Sequence, residues 1–168
     1  MSILLVLGGA RSGKSRHAQR QAEETGLAPI FVATAQAFDA EMADRIARHR
    51  TDRGPEWETV EAPLDLANAI ARRAAPDKIL LVDCLTLWAS NLLLADRDTD
   101  DATTALVGTL HKAAGPVILV SNEVGLGIVP DNALARRFRD LAGTINQRVA
   151  EAADEVRFVA AGLPLRLK

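Results

Sequence analysis

The sequence predicts a layered α/β domain with a mainly parallel central sheet, spanning residues 1–168 as one unit. Two observations carry this. Short runs that are apolar throughout, such as Ile3–Leu7, Ile79–Val82 and Val117–Val120, mark strands covered on both faces, as parallel sheets require. Longer stretches of helical character separate these runs, and that alternation is the pattern of right-handed β-α-β crossovers. A chain of 168 residues fits one domain and can bury roughly two-thirds of its unfolded surface.

Taken in order, strands are expected at 3–7, 30–34, 57–61, 79–83, 117–121, 156–160 and 163–167. Helices are expected at about 14–25, 39–53, 64–75, 85–94, 101–113 and 132–153. The last helix has the clearest period: Leu134, Phe138, Leu141, Ile145 and Val149 form one apolar stripe, read as packing. The acidic stretch Asp96-Arg97-Asp98-Thr99-Asp100-Asp101 reads as a loop that caps the helix after it.

Composition narrows the function classes. The formal net charge is −2, too balanced for a chain that holds nucleic acid mainly through phosphates. Aromatics make up 4% of the residues, which weakens any case for base stacking. Cys84 is the single cysteine, so neither an intrachain disulfide nor a cysteine-rich zinc site is available. No run approaches the roughly 18 apolar residues of a membrane span, and no signal peptide is visible. A reducing, cytoplasmic setting is the expectation.

The strongest motif is Gly8-Gly9-Ala10-Arg11-Ser12-Gly13-Lys14-Ser15, which fits G-x-x-x-x-G-K-[ST] between an apolar strand and a helix. Glycines let the backbone wrap phosphate oxygens, and N–H groups at the helix start point at the anion. Lys14 is expected on the β- and γ-phosphates, with Ser15 on Mg2+. Asp83, ending an apolar strand, is the candidate second group for the metal; helix capping is its structural alternative. With this loop the fold class becomes a phosphate-loop NTPase (RecA-like) three-layer fold.

A basic segment follows at 39–53. Met42, Ile46 and His49 stand at i, i+4 and i+7, with Arg45, Arg48, Arg50 and Arg53 around them. The arginines make an anion site. Spacing alone favours a partly buried histidine in a basic helix over a nucleophile. His17 and His111 lack this setting.

At this point GGARSGKSRHA (8–18), VATAQ (32–36), R-I-x-x-H-R (45–50), LVDCLT (81–86), VSNEVGLGIVP (120–130) and FRDLAGTINQRVAEAADEV (138–156) resemble one family over essentially the whole chain. It is the bifunctional adenosylcobinamide kinase / adenosylcobinamide-phosphate guanylyltransferase family of cobalamin biosynthesis. The resemblance implies phosphorylation of adenosylcobinamide by ATP or GTP. It then implies transfer of GMP from GTP to that phosphate through a GMP–histidine intermediate, with His49 at the matching position. It also implies nucleotide contacts at Gly8 to Ser15, at Ala33, Thr34 and Ala35, at Arg50, Thr51, Asp52 and Arg53, and at Glu61 and Asp83. A homotrimer is implied as well. The alternatives are a monofunctional small-molecule kinase with a structural His49, and a nucleotide-driven motor. The loop after strand 117–121, with Asn122, Glu123, Gly125 and Gly127, is expected to face the site.

Overall fold

The computed structural model describes residues 2–36 and 53–168, and over these the chain forms a seven-stranded sheet. The elements are β1 (Ile3–Gly8), α1 (Lys14–Glu23), β2 (Ala28–Ala33), β3 (Glu58–Glu61), α2 (Leu66–Arg73), β4 (Lys78–Asp83), α3 (Leu85–Leu94), α4 (Thr99–Lys112), β5 (Val117–Asn122), α5 (Ala133–Ala152), β6 (Glu155–Ala160) and β7 (Leu163–Arg166). The sheet order is β3-β2-β4-β5-β1-β6-β7. Every pairing is parallel except β6 with β7, which closes the sheet as an antiparallel hairpin. The expected helix at 39–53 falls, but for Arg53, outside the described residues.

Alternation along each strand builds two cores. Ile3, Leu5, Ile30, Val32, Leu80, Val82, Val117 and Leu119 face one side, under α2 to α5. Val6, Phe31, Ile79, Leu81, Ile118 and Val120 face the other, where Ala18 and Ala22 of α1 pack. Both faces are covered, which is why the strands carry no polar alternation. Each fully buried aliphatic side chain contributes roughly 1.5–3 kcal/mol. Trp88, buried on α3, still finds a partner for its indole N–H in the Leu64 carbonyl at 2.9 Å.

Helix starts follow their caps. Asp98 accepts from the Asp100 and Asp101 amides at 3.0 and 2.9 Å, so α4 begins at Thr99, two residues before its expected start. Asn132 accepts from the Ala135 amide at 2.8 Å and opens α5. The α5 stripe packs from Phe138 onward: Phe138 and Leu141 lie partly buried against the core and Ile145 and Val149 are buried, whereas Leu134 in the first turn is half exposed.

Candidate functional site

The turn between β1 and α1 has the shape its glycines predict. A Cβ on Gly8 would stand 2.5 Å from the Ser12 hydroxyl oxygen and 2.6 Å from the Val159 carbonyl, so no side chain fits there. Gly13 adopts φ 93° and Arg11 φ 54°, which brings the backbone round on itself. The Ser12 amide donates to the Gly9 carbonyl at 3.3 Å, and the His17 amide to the Gly13 carbonyl at 2.9 Å. Lys14 is buried to 9% exposure, with Nζ donating to the Gly9 carbonyl at 3.1 Å. Gly13 supplies no side-chain cap to α1, and the first turn carries no acidic residue. The leading N–H groups of α1 and its positive dipole end are thus left without a side-chain cap, the state in which a helix start receives an anion.

The sheet register aligns further predicted residues. Ala33 pairs with both Glu61 and Asp83, Asp83 pairs with Val120, and Val120 with Val6. Glu61, Ala33 and Asp83 therefore share one row near the C-terminal edge of the strands. Strand alternation puts all three on the α1 face, with Phe31, Leu81 and Val120. At about 4.8 Å per strand, Glu61 lies about 10 Å from Asp83 and about 19 Å from β1. The row continues through the buried Val120 of β5 to the buried Val6 of β1, two residues before Gly8. Beside Glu61 opens a groove of about 420 Å³, lined among others by Pro63, Asp65, Asn68, Arg72 and Arg97.

Two predicted residues sit inside the fold. Thr34 is fully buried; its hydroxyl donates to the Cys84 carbonyl and accepts from the Cys84 amide, each at 2.8 Å. Its carbonyl accepts from Asn91 Nδ2 at 2.8 Å. Its polar groups tie β2 to the end of β4. Arg53 is buried with its guanidinium carbon 3.3 Å from the centre of the Phe31 ring, and Trp57 meets that ring edge-on at 6.5 Å. Ala35 is half-buried just past β2. His49, Arg50, Thr51 and Asp52 lie outside the described residues.

The loop after β5 starts at the edge it was expected to face. Asn122 pairs with Gly8, and the Glu123 amide donates to the Gly8 carbonyl at 3.1 Å. Behind it, the Thr86 hydroxyl accepts from the Asn122 amide at 2.7 Å and lies 3.2 Å from the buried Ser121 hydroxyl. Asn146 Nδ2 donates to the Asn122 carbonyl at 3.2 Å. Sequence reading assigned no role to Thr86, Asn91 or Asn146. Each is a polar residue inside a helix, and only its orientation toward the strand ends distinguishes it.

On the other flank, His17 is buried against β6. Arg157 Nη1 lies 3.1 Å from Nε2 of His17, and Arg157 Nε donates to Glu155 at 2.6 Å. Burial, then the charges of Arg157 and Arg20, hold the His17 ring below its ordinary 6.5. An unfolded His17 binds a proton below about pH 6.5 that the native site refuses. Stability is therefore expected to fall as pH drops from about 6.5 through the lowered native value. Urea midpoints between about pH 7 and pH 5 check this: the His17→Gln protein is expected to show a flatter decline than wild type. Glu155, held below its ordinary 4.5 mainly by its hydrogen bond to Arg157, acts in a separate window below about pH 4.5.

Comparison with known proteins gives a consistent result. Residues 4–167 match the family described as cobinamide kinase / cobinamide phosphate guanyltransferase. A bifunctional adenosylcobalamin biosynthesis protein of Pseudomonas aeruginosa is 52% identical over 166 residues, covering 98% of this chain and 96% of that protein. The corresponding protein of Salmonella typhimurium is 43% identical, covering 99% of each chain. Among solved structures, the flagellar accessory protein FlaH of Methanocaldococcus jannaschii superposes with a TM-score of 0.53 at 14% identity, over 99% of this chain and 78% of that one. A protein of Pyrococcus horikoshii gives 0.57 at 10% identity, over 99% and 86%. At such identities the likeness establishes the fold alone.

Proposed function

Because the chain belongs to the cobinamide kinase / cobinamide phosphate guanyltransferase family, we propose that it carries out both reactions on adenosylcobinamide. In the first, the substrate hydroxyl oxygen attacks the γ-phosphorus of ATP or GTP, the bond from that phosphorus to the β–γ bridging oxygen breaks, ADP or GDP leaves, and the hydroxyl proton is released. In the second, an imidazole nitrogen of His49 attacks the α-phosphorus of GTP and pyrophosphate leaves. An oxygen of adenosylcobinamide phosphate then displaces the histidine, giving adenosyl-GDP-cobinamide. The observation that carries this reading is the glycine-shaped turn that presents Lys14 and an uncapped helix start at the strand edge.

In this reading N–H groups of the loop and of the α1 start hold phosphate oxygens, and Lys14 moves from the Gly9 carbonyl to the β- and γ-phosphates. Among the described residues no group of three or more His, Cys, Asp or Glu side chains stands ready for a metal. Mg2+ takes most of its ligands from phosphate and water, so two protein ligands suffice. Ser15 at the start of α1 and Asp83 on the same face of the sheet would hold it. When bound, the ion neutralises charge on the transferring phosphoryl group. Glu61 and the groove beside it offer room for a second part of the substrates. No helix among the described residues is long and apolar enough to cross a membrane. We place the protein in the cytoplasm as a homotrimer, without nucleic acid as a partner.

Incubation with GTP labelled at the α-phosphate tests the proposal. The protein is expected to acquire label that is labile in acid and stable in base, as a phosphoramidate is. Adding ATP and adenosylcobinamide is expected to move that label into adenosyl-GDP-cobinamide. Phosphorylated cobinamide formed without protein labelling or adenosyl-GDP-cobinamide would leave a monofunctional kinase with a structural His49.

A further inference from the structure

The phosphate loop is held from both sides by backbone that does not belong to the G-x-x-x-x-G-K-S motif. On the β5 side the Glu123 amide donates to the Gly8 carbonyl. On the β6 side the two-residue turn Ala161–Gly162 joins β6 to β7, with φ 52° and 80°, and the Gly162 amide donates to the Ser12 carbonyl at 2.7 Å. Positive φ at both central residues is the mark of a tight hairpin turn matched to strand twist. The contact is close: a Cβ on Gly13 would lie 3.1 Å from the Gly162 Cα.

The Ser12 oxygen and the Gly13 N–H belong to one planar trans peptide, so they point in opposite directions. Anchoring the oxygen on the hairpin turn directs the Gly13 N–H away from it. A carbonyl turned toward a triphosphate would repel it, whereas an N–H there adds a charge-assisted hydrogen bond. We infer that Gly162, in the turn between β6 and β7, is a positioning residue for triphosphate binding: its backbone N–H locks the Ser12–Gly13 peptide in the orientation that accepts the anion. This rests on the reading of residues 8–15 as the triphosphate site. The turn acts through the loop and touches no reacting atom.

The requirement is a backbone donor in a left-handed conformation, which sets the test. Proline at 162 has no N–H and cannot adopt φ 80°. Asparagine keeps the donor and tolerates left-handed backbone, and alanine keeps the donor under strain. Affinities for Mg-GTP and for inorganic tripolyphosphate are measured by titration calorimetry on full-length protein, with thermal melting as the check of fold. Gly162→Asn is expected to bind within about threefold of wild type, Gly162→Pro at least about tenfold more weakly, and Gly162→Ala between them. Gly26→Ala serves as control, because Gly26 also has positive φ (69°) and open space around it. It is expected to lower the melting temperature while leaving both affinities unchanged. Wild-type affinity in a folded Gly162→Pro protein, or, where proline prevents folding, in a protein carrying an ester in place of the 161–162 amide, overturns the inference. Failure of the wild-type protein itself to bind either ligand removes the triphosphate-site reading and, with it, the inference.

Discussion

His49→Ala is expected to abolish covalent labelling by GTP and to lower guanylyl transfer by a factor on the order of 10³ or more. Attack on phosphorus uses the lone pair of a neutral imidazole nitrogen. Alanine has no nitrogen to form the phosphoramidate, so the route through a covalent intermediate closes. The kinase step is expected to survive within about tenfold, because it depends on the phosphate loop and the metal rather than on the imidazole. Radiolabelled GTP, followed by gel separation and parallel kinase assays, checks both claims. Strong labelling of the alanine variant would end the covalent route. Complete loss of kinase activity in a folded variant would show that His49 serves both steps.

Lys14→Ala is expected to lower kcat/KM at least tenfold in both half-reactions. Each begins from a bound triphosphate, and a hydrogen bond to a charged group is worth roughly 1.5–3 kcal/mol. Lys14 is almost buried, with Nζ already held on the loop's own Gly9 carbonyl. Its side chain is therefore already ordered within the loop, and exchanging the Gly9 carbonyl for phosphate oxygens costs little further ordering entropy. Separate assays of phosphoryl and guanylyl transfer are needed. Glu61 lies about 19 Å from β1 across the sheet, a separation that leaves space for a second nucleotide position. Loss of kinase activity with normal guanylyl transfer would show that two triphosphate sites exist along that edge.

The Gly8–Ser15 motif was legible because its chemistry is local. A strand, a glycine turn and a helix start follow one another directly in the chain, and each constrains backbone more than packing. The apolar runs likewise announced covered strands, and the caps Asp98 and Asn132 stood where α4 and α5 begin. Asp83 was readable as the end of a strand. The pairing of Ala33 with both Asp83 and Glu61 was not, since register depends on partners distant in the chain.

Thr34 shows what the sequence left unread: its hydroxyl exchanges two hydrogen bonds with Cys84, 50 residues away. Arg53 similarly reads as one of four arginines in a basic helix, while Phe31 receives its guanidinium. A sequence shows charge but not which neighbour desolvates it. Leu134 fits an apolar stripe by period, yet it is exposed while Phe138, Leu141, Ile145 and Val149 pack on the core.

By itself, then, the amino-acid sequence determined the α/β class, the phosphate loop with its lysine, and the family to which the chain belongs. These follow from short-range periodicity, from turn chemistry and from motif spacing. Only the tertiary structure decided the strand order β3-β2-β4-β5-β1-β6-β7, the shared row of Glu61, Ala33 and Asp83, and the seating of Gly162 on Ser12. The physical reason is range. The Gly162–Ser12 bond joins opposite ends of the chain, and a backbone donor leaves no signature in side-chain identity beyond a glycine that any tight turn would also require.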